Sequence, residues 1–550
     1  MKQKLLHLGL LFLGGVLLSL AWPDYNFILG LFVGFVPLLL LEEYWVNQKG
    51  RFERSRIFWG AFLTFAVWNG SAIWWVWNAS WVGVVASVIV NSLFFAGIFL
   101  LYSRIKKAFG LRFGLLSFVA LWLAWEYIEI VDWDLSWPWL TLGYALADYP
   151  WLIQWYEYTG SLGGSFWVLT INYLIFQVIQ GKAVNHNWNR KKLSFLLIVA
   201  FLPVAISALL YVNYTEEGQT AEIVVVQPNI DPYSELFLDD NGKPMSRMSG
   251  ADQLKQLLHM ADSKIDSNTA FVLFPETALP RSIWAEKINF DPGVAYSKEW
   301  ISHFPNTHLI TGIVYKALYE PRPGEDIPPE VQVYRNGQFY YTRHNSALHL
   351  SADDSAEVYH KSRLVIGVER IPSYFVFLQR YLNEFDDDPS AGSYNPNHGI
   401  QSERAVFINE KQGVQMAPII CYESIFGEFV ASYVQKGANV LGIITNDGWW
   451  GDTPGYKHHF AYARLRAIET RRSVARSANT GTSGFINQRG DILQASEYWK
   501  PTVLKEELHL NEKLTFYVRF GDLIGRLAVP VSLILLTNLI VRLVRRKARY

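Results

Sequence analysis

Cysteine is nearly missing from this chain: 550 residues contain one, Cys421. A lone thiol excludes an internal disulfide. Net charge is missing too. Lys+Arg and Asp+Glu both number 49, so no basic surface marks a nucleic-acid partner. Charged residues make up 18% of the chain, against about 25% in an ordinary soluble protein. No glycine-rich phosphate loop, internal repeat or low-complexity segment occurs. No His/Cys/Asp/Glu set has metal-ligand spacing; the adjacent His458 and His459 read as helix surface. The composition therefore calls for neither a metal nor another cofactor.

The charge deficit is local. Residues 1–213 and the last 30 or so are strongly apolar, whereas 214–520 has a globular composition. A membrane-crossing helix needs roughly 20 mainly apolar residues. Eight segments qualify, at about 5–22, 26–43, 57–77, 81–103, 113–131, 162–181, 193–213 and 524–544. The first has the basic start and apolar run of a signal peptide, but further apolar segments follow, so it reads as the first span. Gly14, Gly15, Gly60 and Ser87 suit close helix contacts. The expected organisation is a seven-helix membrane domain (1–213), an α/β domain (214–520), and a final span with a basic tail (521–550).

Orientation follows from Lys and Arg in the connections. Basic residues occupy the N-terminus (Lys2, Lys4) and the second connection (Lys49, Arg51, Arg54, Arg56). They recur in the fourth (Arg104, Lys106, Lys107, Arg112), the sixth (Lys182, Arg190, Lys191, Lys192) and the tail (Arg542, Arg545, Arg546, Lys547, Arg549). The alternate stretches 22–25, 78–80 and 131–161 have none. By parity, 214–523 lies on the extracytoplasmic side. That side of a bacterial inner membrane is oxidising, where an unpaired thiol is a liability unless it has a task. The long stretch 131–161 reads as an interfacial aromatic belt, or as a platform for lipid chains.

Within 214–520, apolar β-rich runs at 221–226, 270–274, 308–314, 416–420 and 439–444 read as strands. Helical patterns at 250–266, 425–436 and 456–475 separate several of them, which indicates an α/β fold. Residues 333–340 read as a hairpin turning at Asn336-Gly337, and 407–415 as another. Residues 383–400 read as a polar, mobile loop; together with 231–250 they are expected to form lids. Three polar residues stand at the ends of apolar runs: Glu276 after "FVLFP", Lys361 in "VYHKSRL" and Cys421 after "APII". Each alone reads as a cap, a surface charge or core filler. Together they are complementary. A carboxylate accepts a thiol proton, and an ammonium lowers a thiol pKa and stabilises an oxyanion.

The segments "FPETALP" (274–280), "YHKSRLVIGVERIP" (359–372), "IICYESIF" (419–426) and "TNDGWWGDTPGYKHHFAYARLRAIETRR" (445–472) resemble, in order, the motifs of the nitrilase superfamily. "NSALHL" (345–350), "SWPWLTLGY" (136–144) and "RSANTGTSGFINQRG" (476–490) are similar to its membrane-bound apolipoprotein N-acyltransferase branch. The chain departs from the family's Pro-Phe-Gly-Glu with Ile366-Gly367-Val368-Glu369, but Glu369 keeps its place eight residues after Lys361. Trp449-Trp450-Gly451 stands for the family's Trp-Phe-Gly.

The resemblance implies a multi-pass α-helical membrane domain plus a nitrilase-like αββα sandwich in the periplasm. It implies Cys421 as nucleophile, Glu276 as general base and Lys361 as oxyanion stabiliser, helped by a backbone N–H near Tyr422. Glu369 and Glu423 would orient Lys361 and the base. The implied donor is a phospholipid, the implied acceptor the α-amino group of a diacylglyceryl-cysteine lipoprotein, and the covalent intermediate a thioester. Two readings compete with this one. A membrane-tethered amidase or nitrile hydrolase would use the same three residues with water. A receptor or transporter subunit would only bind, although Glu126 and Glu129 are the chief ionisable residues in the spans and mark no ion pathway.

Overall fold

The computed structural model describes residues 2–547 apart from 24, 49, 51, 132, 186–187, 233–247, 335–337, 354 and 373–396. The Asn336-Gly337 turn, most of both expected lids and the basic residues Lys49, Arg51 and Arg549 lie outside the described residues. The chain forms two compact units: Met1–Tyr214 with Thr515–Tyr550, and Thr215–Leu514.

The first unit is helical. Six of its described helices are long and apolar enough to cross a membrane, by length and composition: Leu29–Asn47, Trp81–Phe109, Leu111–Val131, Ser161–Ala183, Arg190–Asn213 and Leu523–Arg546. Helices Lys2–Ser19 and Glu53–Ala72 cover the other two expected segments but fall outside that group. The stretch Leu29–Asn47 is interrupted between Leu29–Val33 and Val36–Asn47. Asn172 satisfies the freed backbone: its Oδ1 accepts from Phe35 N (3.0 Å) and its Nδ2 donates to Leu31 O (2.9 Å). Small residues permit close approach. A Cβ on Gly15 would stand 2.5 Å from Thr64 O, and one on Gly60 would stand 2.8 Å from the Trp45 ring.

Part of the aromatic stretch 131–161 packs inside the helical unit. Short 3-10 turns at Pro138–Leu140 and Leu142–Leu146 bury Trp139, Leu140, Tyr144 and Leu146. Two carboxylates from helix Gly114–Val131 fasten it. Glu126 accepts from Leu142 N (2.9 Å) and Trp122 Nε1 (3.0 Å); Glu129 accepts from Trp137 N (2.6 Å) and Trp133 Nε1 (3.3 Å). A loop rich in backbone donors folds inward when buried carboxylates receive those donors.

The second unit is a pair of sheets. Strands β1 (Gln219–Gln227), β2 (Thr269–Leu273) and β4 (His308–Tyr319) run parallel at the centre of an eight-stranded sheet among the described residues. Also in it are β3 (Leu279–Trp284), β5 (Val331–Tyr334), β6 (Phe339–Leu350), β7 (Glu357–His360) and β14 (Thr502–Leu510). Helices Gly250–Asp262 and Pro292–Ser302 cover its outer face, packing Leu254, Leu257, Val294 and Ile301 on Val224, Val272, Leu309 and Leu348. Both helices start at side-chain caps: Ser249 accepts from Asp252 N, and Asp291 from Gly293 N and Val294 N.

The second sheet runs β13-β12-β11-β10-β9-β8. Its members are β8 (Phe407–Asn409), β9 (Val414–Ile420), β10 (Val440–Thr445), β11 (Ser473–Ala478), β12 (Gly484–Ile486) and β13 (Ile492–Ala495). Strands β9, β10 and β11 are parallel, with helices Gly427–Gln435 and Pro454–Thr470 as crossovers. Hydrogen bonds join the two inner faces: Ser477 Oγ to Val226 O (2.8 Å) and Asn409 Nδ2 to Ala270 O (2.9 Å). The layers are αββα, as the resemblance implied. The helix expected over 456–475 ends at Thr470, because Arg471 adopts φ 51° and sends the chain into β11. Asn511 Nδ2 caps the turn at Arg471 O (3.0 Å).

Candidate active site

Parallel strands leave their C-terminal ends on one side of an α/β layer, and polar residues there face a common space. Fully buried β2 ends at Leu273, and Glu276 follows three residues later. Its turn is held by Phe274 N to Ile310 O (2.8 Å) and Gly312 N to Pro275 O (3.1 Å). Gly312 has no alternative: a Cβ there would lie 2.3 Å from Thr277 N and 2.6 Å from Glu276 Cα. Lys361 leaves β7 with its N–H on Asn345 O (2.8 Å). Cys421 follows β9 directly, on a turn with φ 49°, a left-handed conformation rare for a residue with a Cβ.

Lys361 meets Glu276 and Glu369, and Cys421 lies within electrostatic reach of Glu276 and Lys361. Lys361 Nζ lies 3.2 Å from Glu276 Oε1 and 2.9 Å from Glu369. Asn345, from β6, donates its Nδ2 to both carboxylates, at 2.6 Å to Glu276 and 2.9 Å to Glu369. Glu276 Oε2 accepts from Asn446 N (3.1 Å) beyond β10, and Glu369 Oε2 from Val365 N (2.9 Å). Lys361 is 1% exposed. Burial works against its charge, but Glu276 and Glu369 outweigh that and hold the ammonium well above the ordinary lysine range. Glu369 is opposed by burial and held below the carboxylate range by Lys361. Burial, and then the charge of Glu276, push the Cys421 thiol above its ordinary value, against the pull of Lys361 and a hydrogen bond with Thr445. The resting sulfur is therefore a thiol, and any attack on a carbonyl needs a base beside it.

Glu423 stands apart from the Lys361–Glu276 pair. It accepts from Ile420 N (2.8 Å), Ser362 N (2.7 Å) and Tyr359 Oη (2.7 Å). The residue before the cysteine is thus tied to the residue after the lysine. Burial raises its pKa, and those donors lower it. Tyr422 is buried with its ring edge-on to Phe426. Beside Glu276 a cleft is bordered by Pro228, Ile230, Pro232, Asn446 and Asn479.

His458 and His459 correct the helix-surface reading, since both are at most 2% exposed. His459 reaches Ser424 Oγ (2.9 Å) and Cys421 O (3.1 Å) through Nε2, and Asp447 Oδ1 (2.9 Å) through Nδ1. Arg476 Nη2 donates to Asp447 Oδ2 (2.8 Å). Burial opposes ionisation of Asp447, yet Arg476 and His459 bring its pKa down to about 2. A carboxyl depressed below the usual aspartate value near 3.9 stabilises the fold above that value. The contribution is lost as pH falls toward about 2. Asp447→Asn leaves Arg476 buried and unpaired, so it should cost about 3–5 kcal/mol. Thermal unfolding at neutral pH should show that gap, and it should close under acid.

Family models match the two parts of the chain separately. Residues 14–174 match the family model of the apolipoprotein N-acyltransferase N-terminal domain, and residues 223–512 match that of carbon-nitrogen hydrolases. The chain is 30% identical to the apolipoprotein N-acyltransferase of Chlorobaculum tepidum over 94% of each chain. It is 25% identical to apolipoprotein N-acyltransferase 1 of Treponema denticola, over 98% of this chain and 97% of the relative. Among solved structures, Saccharomyces cerevisiae Nit3, of branch 10 of the nitrilase superfamily, matches with TM-score 0.35 and 14% identity, covering 54% of this chain and 93% of Nit3.

Proposed function

The chain belongs to the apolipoprotein N-acyltransferase family, and from that membership we propose that it N-acylates lipoproteins by the following route. Glu276 takes the Cys421 proton as sulfur attacks an ester carbonyl of a phospholipid. The carbonyl π pair moves onto oxygen, which the Lys361 ammonium and a backbone N–H near Tyr422 stabilise. The intermediate collapses, the C–O bond breaks, and the lysophospholipid alkoxide takes the proton back from Glu276. An acyl thioester on Cys421 remains. The α-amino group of a diacylglyceryl-cysteine then attacks it and gives its proton to Glu276. The C–S bond breaks and the thiolate is reprotonated, leaving an amide-linked third chain. Glu369 and Asn345 position Lys361 and Glu276.

One observation carries this reading. A buried ammonium is shared between two carboxylates on the rim that also presents a strained, protonated thiol. The distribution of Lys and Arg among the connections supports a periplasmic catalytic unit and an inner-membrane location. Purified enzyme should release lysophospholipid from phospholipid and no ammonia from simple amides. The reverse would make it a membrane-tethered C–N hydrolase with water as acceptor. Gly312→Ala should displace the Glu276 turn and lower the acylation rate about 100-fold in a folded protein, as expected for a misplaced catalytic group. Single-turnover acylation measures it, and a rate within a factor of two of the parent would show that the turn does not place the base.

A further inference from the structure

Strand pairing sets side chains on shared faces. On β4 and β6, Lys316 is directly opposite Arg343, and the preceding inward pair is Val314 with Asn345. Asn345 bonds Glu276 and Glu369, so the face carrying Lys316 and Arg343 is the one that opens on the active site. Two residues along a strand span roughly 7 Å. Two cations set opposite each other repel unless something neutralises them. Among the described residues no carboxylate forms an ion pair with either one. Burial and the charge of Arg343 together lower the Lys316 pKa.

The surroundings are those of a site rather than of a solvated surface. Trp284 of β3 is paired with Lys316, and Lys316 Nζ lies 5.7 Å from the Trp284 ring and 5.1 Å from that of Tyr341. Arg343 Nε is buried with no hydrogen-bond partner among the described residues. His398 stands beside Glu369, within electrostatic reach of both Arg343 and Lys361. Its backbone N–H donates to Glu369 O (3.0 Å), and its buried Nδ1 likewise lacks a partner. Burial brings its pKa down to about 4, so at neutral pH it supplies an N–H without adding charge.

The geometry points to an anion subsite formed by Lys316, Arg343 and His398 Nδ1, which takes the phosphodiester of the acyl donor while its ester carbonyl lies at Cys421. The inference rests on the phospholipid-donor reading above. The glycerol between a phospholipid's ester carbonyl and its phosphorus is of the same order of length as the two-residue step from Asn345 to Arg343. Arg offers the paired donors that suit phosphate, and the Trp284 and Tyr341 rings hold the Lys316 ammonium in place. The acceptor carries no phosphate, so the subsite acts only in the first half-reaction, and the lysophospholipid leaves from it.

The test is single-turnover acyl-enzyme formation by the full-length protein in detergent micelles. Dipalmitoyl phosphatidylglycerol and phosphate-free p-nitrophenyl palmitate serve as donors. Lys316→Gln and Arg343→Gln should each lower the ratio of phospholipid to p-nitrophenyl ester rates about tenfold, the loss expected for a charge-assisted hydrogen bond. Arg343→Lys should restore part of it, since the charge returns without the paired donors. A ratio unchanged in both glutamine variants overturns the subsite, including when both rates fall together through misfolding. A parent enzyme acylated by the p-nitrophenyl ester but not by phospholipid overturns the donor reading, and the subsite with it.

Discussion

Cys421→Ser should abolish acyl-enzyme formation, with a loss of more than about 10³-fold in single-turnover acylation. The exchange is close to isosteric at a position 8% exposed, so the turn with φ 49° persists and the melting temperature stays within about two degrees. The chemistry does not survive. Burial and Glu276 already hold the thiol above its ordinary range, so deprotonation is difficult even for sulfur. A hydroxyl in the same place is a weaker acid and a poorer leaving group, and on the proposed route both half-reactions pass through that atom. A serine variant acylated at a rate near the parent's would remove Cys421 from the mechanism.

Lys361→Arg, a change that keeps the charge, should cost about 10²–10³-fold in the acylation rate. The ammonium lies 3.2 Å from Glu276 and 2.9 Å from Glu369, with 1% of the residue exposed. A planar guanidinium directs its donors in a fixed fork and needs more width. Set against Glu369 and Asn345 it should displace Glu276 from Cys421, so that the proposed base and oxyanion donor are lost together. The variant should bind phospholipid with an affinity within a few-fold of the parent and fail in the chemical step. Equal losses in donor binding and in rate would assign Lys361 to binding instead.

How much of this was legible in the sequence depended on the kind of signal. Runs such as "EIVVV" and "MAPII" announce buried strands because only apolar β-branched segments fit between two covered faces, and β1, β2, β9 and β10 lie where those runs are. Glu276, Lys361 and Cys421 stood out because each ends an apolar run with an isolated functional group. Asn345 did not. It lies inside the 12-residue strand β6, where local pattern gives no hint that its amide bridges two carboxylates distant in sequence. His459 was misread because its polar partners Asp447, Ser424 and Arg476 come from separate elements, and burial by tertiary packing leaves no periodic trace. The end of helix Pro454–Thr470 was missed because Arg471 takes a left-handed conformation usually signalled by glycine. The inward packing of residues 137–146 left no local signal, because the carboxylates that receive its backbone donors sit on a neighbouring helix.

The central claim is that one sulfur carries the acyl chain between two lipids. Intact-protein and peptide mass spectrometry after incubation with dipalmitoyl phosphatidylglycerol, without acceptor, tests it directly. The account predicts one palmitoyl group on the peptide holding Cys421, labile to hydroxylamine and discharged by an amine acceptor. An unmodified Cys421 while lipoprotein is still N-acylated from the same phospholipid would contradict it.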